Sequence, residues 1–122
     1  EVALADARKG VTMFEQVSVP VLGFVENMAY FTPPDLPDRK YYLFGRGGVA
    51  RLAEKLGAPL LGEIPIEQSV REGGDDGVPV VVADPDSASA QAFRDVARAT
   101  MRAVELRMAT QPPTQAIEIL YR

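Results

Sequence analysis

The residues best suited to ligand chemistry in this 122-residue sequence follow two apolar runs. Asn27 ends the run VSVPVLGFVEN, and Pro65 ends the run APLLGEIP. If both runs are parallel strands, their carboxyl ends lie at one edge of a sheet, which is where open α/β sheets bind ligands. The Asn27 amide offers both a donor and an acceptor, which suits a purine edge. Pro65 could pack against one face of the flat purine ring.

Each of these residues also has a purely structural interpretation. Asn27 can turn the chain through its own side chain, and Pro65 can simply end a strand. The stretch FGRGG before a helix can form an anion-binding nest or only a tight turn, and it is neither a Walker loop nor a dinucleotide fingerprint. Taken one at a time, these residues favour the structural interpretation.

The absent residue types exclude several kinds of chemistry. The sequence contains no histidine and no cysteine, so it offers no imidazole base, thiolate nucleophile, disulfide or thiolate metal site. A metal would need oxygen ligands, and the acidic pair Asp75–Asp76 fits no calcium loop. We therefore predict no metal ligand and no self-sufficient catalytic group in this chain.

Charge and hydropathy limit the partners and the location. The net charge is −4 and the basic residues are scattered, which argues against a nucleic-acid partner. No apolar run is long enough to cross a membrane, and no signal-peptide pattern stands at the beginning. These features predict a cytoplasmic protein without a membrane partner.

The elements that must position these residues alternate between helix and strand. Three helices are predicted: over the first residues, over GGVARLAEKLG with Gly57 as its stop, and from a cap at Asp86 or Ser87 onward. The two apolar runs predict strands buried on both faces, at Val19–Val25 and Leu60–Ile64. IEQSVREGGDDG predicts a short helical turn that closes in a glycine loop, and VPVVVADP predicts a short extended segment.

These elements predict one α/β domain over residues 1–110, followed by an extended tail over 111–122. Two strong strands and one short strand are few for a doubly wound sheet. We therefore expect either that the chain pairs with itself or that it is the C-terminal half of a longer α/β protein.

Four stretches, read together and in order, resemble the Mrp/ApbC-type P-loop ATPases, which are iron–sulfur cluster carriers related to MinD and nitrogenase iron protein. The stretches are EVALADARKGVTMF, VPVLGFVENMAYF, FGRGGVARLAEKLGAPLLGEIPIEQSVREGGDDGVPVV and DPDSASAQAFRDVA. The resemblance implies the C-terminal half of a doubly wound, mostly parallel P-loop NTPase-like sheet with flanking helices. The P-loop, the switch regions and the Walker B segment would precede Glu1.

The same resemblance implies the site residues and the cofactor. Asn27 would read the adenine edge, and the stretch Pro65–Ile66–Glu67 would pack beside the ring. The cofactor of the full-length protein would be ATP with Mg2+. Because this chain lacks Walker A and Walker B, it is predicted to be inactive in ATP hydrolysis by itself.

The loop after VENMAYF departs from most members of the family, which carry a Cys-x-x-Cys pair there. This sequence has TPPDLPDRKYY instead, as expected for the subset that lacks the pair, so it offers no ligand for an iron–sulfur cluster. The resemblance implies a homodimer and makes the loop, with Arg39, Tyr41 and Tyr42, a candidate contact with the second subunit or with iron–sulfur assembly or recipient proteins. The alternative is a non-catalytic α/β protein-interaction module.

Overall fold

The computed structural model describes residues 1–113 and shows an α/β chain with a parallel sheet. The elements in chain order are α1 (Val2–Gln16), β1 (Phe24–Glu26), α2 (Gly48–Leu56), β2 (Leu60–Glu63), α3 (Gln68–Asp76), α4 (Val80–Ala83) and α5 (Ala88–Thr110). β1 and β2 pair in parallel, and α2 connects them. The predicted fold class is therefore confirmed. Most of the predicted tail, residues 114–122, lies outside the described residues.

Two helix ends lie where the sequence predicts them. Gly57 follows α2 with a left-handed φ of 68°, and its N–H is bonded back to the last turn of the helix. Ser87 caps α5, because its hydroxyl oxygen accepts the N–H of Ala90 at 3.1 Å. Glycine suits the first position because it tolerates positive φ, and serine suits the second because its hydroxyl supplies a hydrogen-bond acceptor.

β1 is shorter and more exposed than predicted. It covers only Phe24–Glu26, whereas a strand was expected over Val19–Val25. Val19 is 42% exposed and Val25 is 43% exposed, so burial on both faces is wrong for this segment. The physical reason is that the described sheet contains only two strands, which leaves one edge and much of one face of β1 without a neighbour.

The segment after β2 is more helical than predicted. α3 runs for nine residues and contains Gly73 and Gly74, whereas these glycines were expected in a loop. Its exposed side is supported by the ion pair between Arg71 and Asp75, four residues apart at 2.7 Å. The run VVVA forms the short helix α4 after Pro79 and not an extended segment, since within residues 1–113 no strand pairs with it.

The first half of α5 packs on the sheet. It contacts β2 at Gly62, where an added Cβ would lie 2.6 Å from Val96 Cγ2. Ala90 is fully buried, but Met101 is 63% exposed and Met108 is 78% exposed. The predicted apolar stripe of α5 is therefore covered at its beginning and open over its last turns.

The chain exposes far more surface than a compact protein of its size. Its accessible area is 9424 Å², whereas a folded monomer of 13.2 kDa exposes about 6400 Å². Full exposure of the nine residues outside the described range would add only about 1600 Å². The large excess agrees with a sheet and helices that lack part of their usual cover.

The neighbouring glycines of α3 give a matched pair of predictions. A Cβ on Gly73 would meet the carbonyl oxygen of Val78, while a Cβ on Gly74 would point into open space. Gly73→Ala should lower the free energy of unfolding by about 1–3 kcal/mol because the backbone must shift. Gly74→Ala should raise it by about 0.5–1 kcal/mol, since alanine favours a helix interior. Urea unfolding of both variants tests this, and equal effects of the two substitutions would contradict the packing of α3 on residue 78.

Candidate functional site

The carboxyl ends of β1 and β2 are joined around Ile64. The N–H of Ile64 donates to the carbonyl of Glu26 at 2.8 Å, and the N–H of Ala29 donates to the carbonyl of Ile64 at 2.9 Å. Glu26 and Ala29 thus both bond Ile64, and the two residues between them, Asn27 and Met28, form a bulge. Met28 has a φ of 54°, a strained value for a residue with a side chain.

The Asn27 side chain both stabilises this bulge and keeps a free donor. Its Oδ1 accepts the N–H of Met28 at 2.9 Å, which is the turn role that the sequence allowed. The side chain is exposed, and within residues 1–113 its Nδ2 has no hydrogen-bond partner. The carbonyl oxygen retains a second lone pair. The amide can therefore still donate one hydrogen bond and accept another.

Asn27 lies at the wall of a cleft of 690 Å³. The other walls are the first turns of α1, the segment 44–48 and the beginning of α2. The charged residues that line the cleft are two glutamates and two arginines: Glu1, Glu26, Arg46 and Arg51. A cleft of this size is within the range that holds small-molecule ligands.

The glycines of FGRGG form a tight turn at the edge of this cleft. Gly45 has a φ of 91° and Gly47 has a φ of 72°, values that a residue with a side chain rarely adopts. Gly47 also takes the position before α2 and supplies no side-chain cap. The tight-turn interpretation is confirmed, and anion binding by this turn stays a prediction.

The stretch Pro65–Ile66–Glu67 continues from β2 beside the bulge but does not line the cleft. Pro65 is buried, and the N–H of Ile66 donates to the carbonyl of Tyr30 at 2.7 Å. The Glu67 carboxylate accepts the backbone N–H of Ser89 at 3.0 Å, at the beginning of α5. The structure thus brings Asn27 and Pro65 to one sheet edge, but it directs the Glu67 side chain to a helix end.

The loop from Phe31 to Tyr41 is closed by backbone pairing. The two residues exchange both hydrogen bonds at 2.8 Å, and turns at Pro33–Leu36 and Leu36–Arg39 shape the tip. Its stems are held by two neighbouring rings with a cation at each end, a set that we call the Tyr30–Tyr42 ladder. Lys40 lies 4.2 Å from the Tyr30 ring, Tyr30 and Tyr42 are 6.2 Å apart, and Arg46 lies 4.8 Å from the Tyr42 ring.

The residues predicted for partner contact divide between the surface and this ladder. Arg39 is exposed and Tyr41 is 41% exposed, so both are available to a partner, whereas Tyr42 is half-buried within the ladder. Phe44, which follows the loop, does not pack its stems, since its side chain is 74% exposed. Tyr30 takes the packing role, a role that its position beside Phe31 did not reveal.

Two carboxyl groups face each other across the strands at this edge. Glu26 and Glu63 are register partners, and their side chains lie on the same face. Burial raises the pKa of the Glu26 carboxyl above its usual 4.5, and the negative charge of Glu63 and a hydrogen bond shared with it add to the increase. Sequence reasoning missed this pair, because strand register decides it.

The described part of the chain contains neither a metal-binding cluster nor a membrane-spanning helix. Within residues 1–113, no three carboxylate, thiol or imidazole side chains lie close enough together to hold a metal ion. None of the helices in that range combines the length and the apolar character needed to cross a bilayer.

Comparison with known proteins identifies similar chains. Residues 1–101 match a family model described as ParA, NUBPL iron-transfer P-loop NTPase. An iron–sulfur cluster carrier protein from Synechocystis is 58% identical over 97 residues, which cover 80% of this chain and 28% of that protein. The chain therefore spans less than a third of the length of this relative.

Two solved structures share the fold. A nucleotide-binding protein from Archaeoglobus fulgidus, in complex with ADP, has a TM-score of 0.53 and 42% identity over 60% of this chain and 30% of its own. The cell division ATPase MinD from Pyrococcus furiosus has a TM-score of 0.59 and 26% identity over 84% of this chain and 39% of its own. The sheet and its helices are thus those of P-loop NTPases.

The pKa of Glu26 predicts how stability changes with pH. Because its pKa is raised in the folded state, folded Glu26 binds a proton more tightly than unfolded Glu26 does. Stability should therefore fall as pH rises from 4.5 through the raised pKa, and stay lower above it. Glu26→Gln should remove this decrease. Glu63→Gln should reduce it only in part, because burial is the larger cause. Urea unfolding from about pH 4 to pH 7 tests this, and an unchanged slope in Glu26→Gln would contradict it.

Proposed function

This chain belongs to the family of NUBPL iron-transfer P-loop NTPases, and from this premise we propose that it is the adenine-binding and dimerisation part of an ATP-dependent iron–sulfur cluster carrier. The observation that carries the proposal is the Asn27 amide, whose Nδ2 has no partner within residues 1–113, at the carboxyl ends of two parallel strands. The ADP bound to the Archaeoglobus protein supports a nucleotide as the ligand.

The Asn27 amide matches the hydrogen-bonding edge of adenine. Adenine presents an amino donor beside a ring-nitrogen acceptor, and an amide can pair with both at once. Nδ2 of Asn27 would donate to the ring nitrogen, and Oδ1 would accept from the amino group through the lone pair that Met28 does not use. Guanine presents a carbonyl and a protonated nitrogen at the same place, so the pairing would not fit it.

The stretch Pro65–Ile66–Glu67 would form the wall beside the adenine ring. Its main chain is fixed next to the bulge, since Ile64 is bonded to Glu26 and Ala29 and Ile66 is bonded to Tyr30. The Glu67 carboxylate is occupied by Ser89, so we assign the contact of residue 67 with the base to its main chain.

The phosphates and Mg2+ of ATP would be bound outside this chain. The sequence contains no Walker loop, and residues 1–113 hold no group of three acidic side chains that would suit the metal. The chain spans 28% of the Synechocystis carrier, which leaves room for a phosphate-binding segment elsewhere in the full-length protein. ATP hydrolysis is accordingly a proposal for the full-length protein and not for this chain. A cytoplasmic location also stays a prediction.

The iron–sulfur cluster would be cargo that this chain helps to deliver without holding it. The chain has no cysteine, so no thiolate can ligate iron. The loop that the Tyr30–Tyr42 ladder holds in shape presents Arg39 and Tyr41 outward. We assign this surface to the second subunit of a dimer, or to an assembly or recipient protein.

A second candidate function is a non-catalytic interaction module. The exposed apolar residues on the last turns of α5 favour it, because an uncovered apolar stripe is suited to a protein partner. Nucleotide binding separates the two candidates, since only the carrier requires a preference for adenine.

Substitution of Asn27 tests adenine recognition in the full-length protein. Asn27→Ala should lower ADP affinity by about 1–3 kcal/mol and remove the preference for ADP over GDP, because both base hydrogen bonds are lost. Asn27→Asp keeps an acceptor for the Met28 N–H but loses the Nδ2 donor. It should therefore also lose the preference while it keeps the fold. Calorimetric titration of both variants measures this, and an unchanged ADP/GDP ratio would leave Asn27 as a turn residue only.

Two adjacent tyrosines test the loop surface. Tyr41→Ser should weaken dimerisation or partner binding without lowering the melting temperature, because this side chain faces outward. Tyr42→Ser should lower the melting temperature, since it removes the centre of the ladder. Sedimentation and thermal melting of the full-length variants separate the two effects. If association is the same with Tyr41→Ser, the exposed loop is only a surface connection.

A further inference from the structure

We propose that Glu67 is a positioning residue that holds the wall of the adenine site by anchoring it to the beginning of α5. This inference rests on the proposed function, because the wall matters only if adenine binds beside it. The sequence analysis predicts one role, packing beside the adenine ring, for Glu67 and for the two residues before it. Its different role follows from the direction of its side chain.

The carboxylate of Glu67 is placed where a negative charge is most favourable. It accepts the N–H of Ser89, one of the backbone donors at the beginning of α5 that have no partner within the helix. The next such donor, the N–H of Ala90, is taken by the Ser87 hydroxyl. α5 is 23 residues long, and a carboxylate at the N-terminus of a helix also interacts favourably with the helix dipole.

This contact is long-range, although a local one was available. Glu67 is also the residue just before α3, yet its side chain makes no capping bond to that helix. It spans 22 residues of sequence instead, and it meets α5 where Ser89 is fully buried. A side chain committed to a buried, distant backbone donor restrains its own main chain.

Glu67 is the last of three fixed points along the proposed wall. Ile64 is bonded to β1, Ile66 is bonded to Tyr30, and Glu67 is bonded to α5. Without the third bond, the wall would continue directly into α3, which packs mainly on α4. Loss of the anchor should therefore loosen the contact with the base and leave the phosphate end of the nucleotide unaffected.

The test compares ADP, GDP and inorganic pyrophosphate in the full-length protein. Glu67→Ala should lower ADP affinity about fivefold, the equivalent of one lost hydrogen bond. Pyrophosphate affinity should not change, and the preference for ADP over GDP should decrease. Glu67→Gln should restore the preference, because its amide oxygen can accept the same N–H. Glu67→Asp keeps the charge but is one methylene shorter, so it should behave like Glu67→Ala.

Two control variants isolate the anchor. Glu72→Ala removes an exposed glutamate of α3 that, within residues 1–113, contacts Gln68 and Arg71 of the same helix, and it should leave all three affinities unchanged. Ser89→Ala keeps the backbone N–H that Glu67 binds, so it should also keep the preference for ADP. Hydrogen exchange of the residue 89 amide reports the contact directly, and it should become faster in Glu67→Ala and Glu67→Asp but not in Glu67→Gln.

The outcomes distinguish this inference from the function on which it rests. A wild-type protein that binds ADP no better than GDP would overturn the proposed function and the inference together. Suppose that the wild type prefers ADP and that Glu67→Asp keeps this preference although its residue 89 amide exchanges faster. That result would overturn the inference and leave the proposed function intact. If Glu67→Ala does not fold, Glu67→Asp and Glu67→Gln decide the question in the same way.

Discussion

The structure depends on the pairing of one residue, Ile64, with both sides of a bulge. Its N–H bonds Glu26 and its carbonyl bonds Ala29, so the chain can leave the sheet at Asn27 and return to it two residues later. Ile64 is itself buried, which shields both hydrogen bonds from water. The polar turn is therefore tied to a rigid apolar position. This arrangement gives the Asn27 amide a defined direction although its side chain is exposed.

The same edge collects every other group that matters to the site. Glu26 ends β1 and meets Glu63, Pro65 follows β2, and Tyr30 receives Ile66 before the loop begins. Because two parallel strands end at one edge, segments that are separated in sequence by the long connection through α2 come together there. One face of this edge is the cleft beside α1 and α2, and on the other face β2 packs on α5. Glu67 links the edge to α5, so movement of that helix would be transmitted to the edge at which we propose that adenine binds.

The sequence predicted the architecture better than the side-chain directions. The parallel strand ends, the Gly57 stop and the Ser87 cap follow from local patterns, and the structure has them. The strand over Val19–Val25 was over-predicted because an apolar run indicates burial, while strand length depends on neighbours that the described sheet does not contain. The run at residues 80–83 became a helix for the same reason. The Glu67–Ser89 bond joins residues 22 positions apart, a separation at which no periodicity or spacing rule applies.

The loop keeps its shape through its own side chains. Close to the point where the resemblance to the Mrp/ApbC-type ATPases would place paired cysteines, this chain has three prolines and a ladder of two tyrosines and two cations. The prolines reduce the entropy lost on ordering, and the cation–ring contacts of the ladder contribute roughly 0.5–1 kcal/mol each at exposed sites. Such contacts need no ligand, so the loop surface would be the same whether or not a cluster is present. In the function that we propose, the partner would be recognised through the surface at Arg39 and Tyr41, and the cluster would be held by other residues.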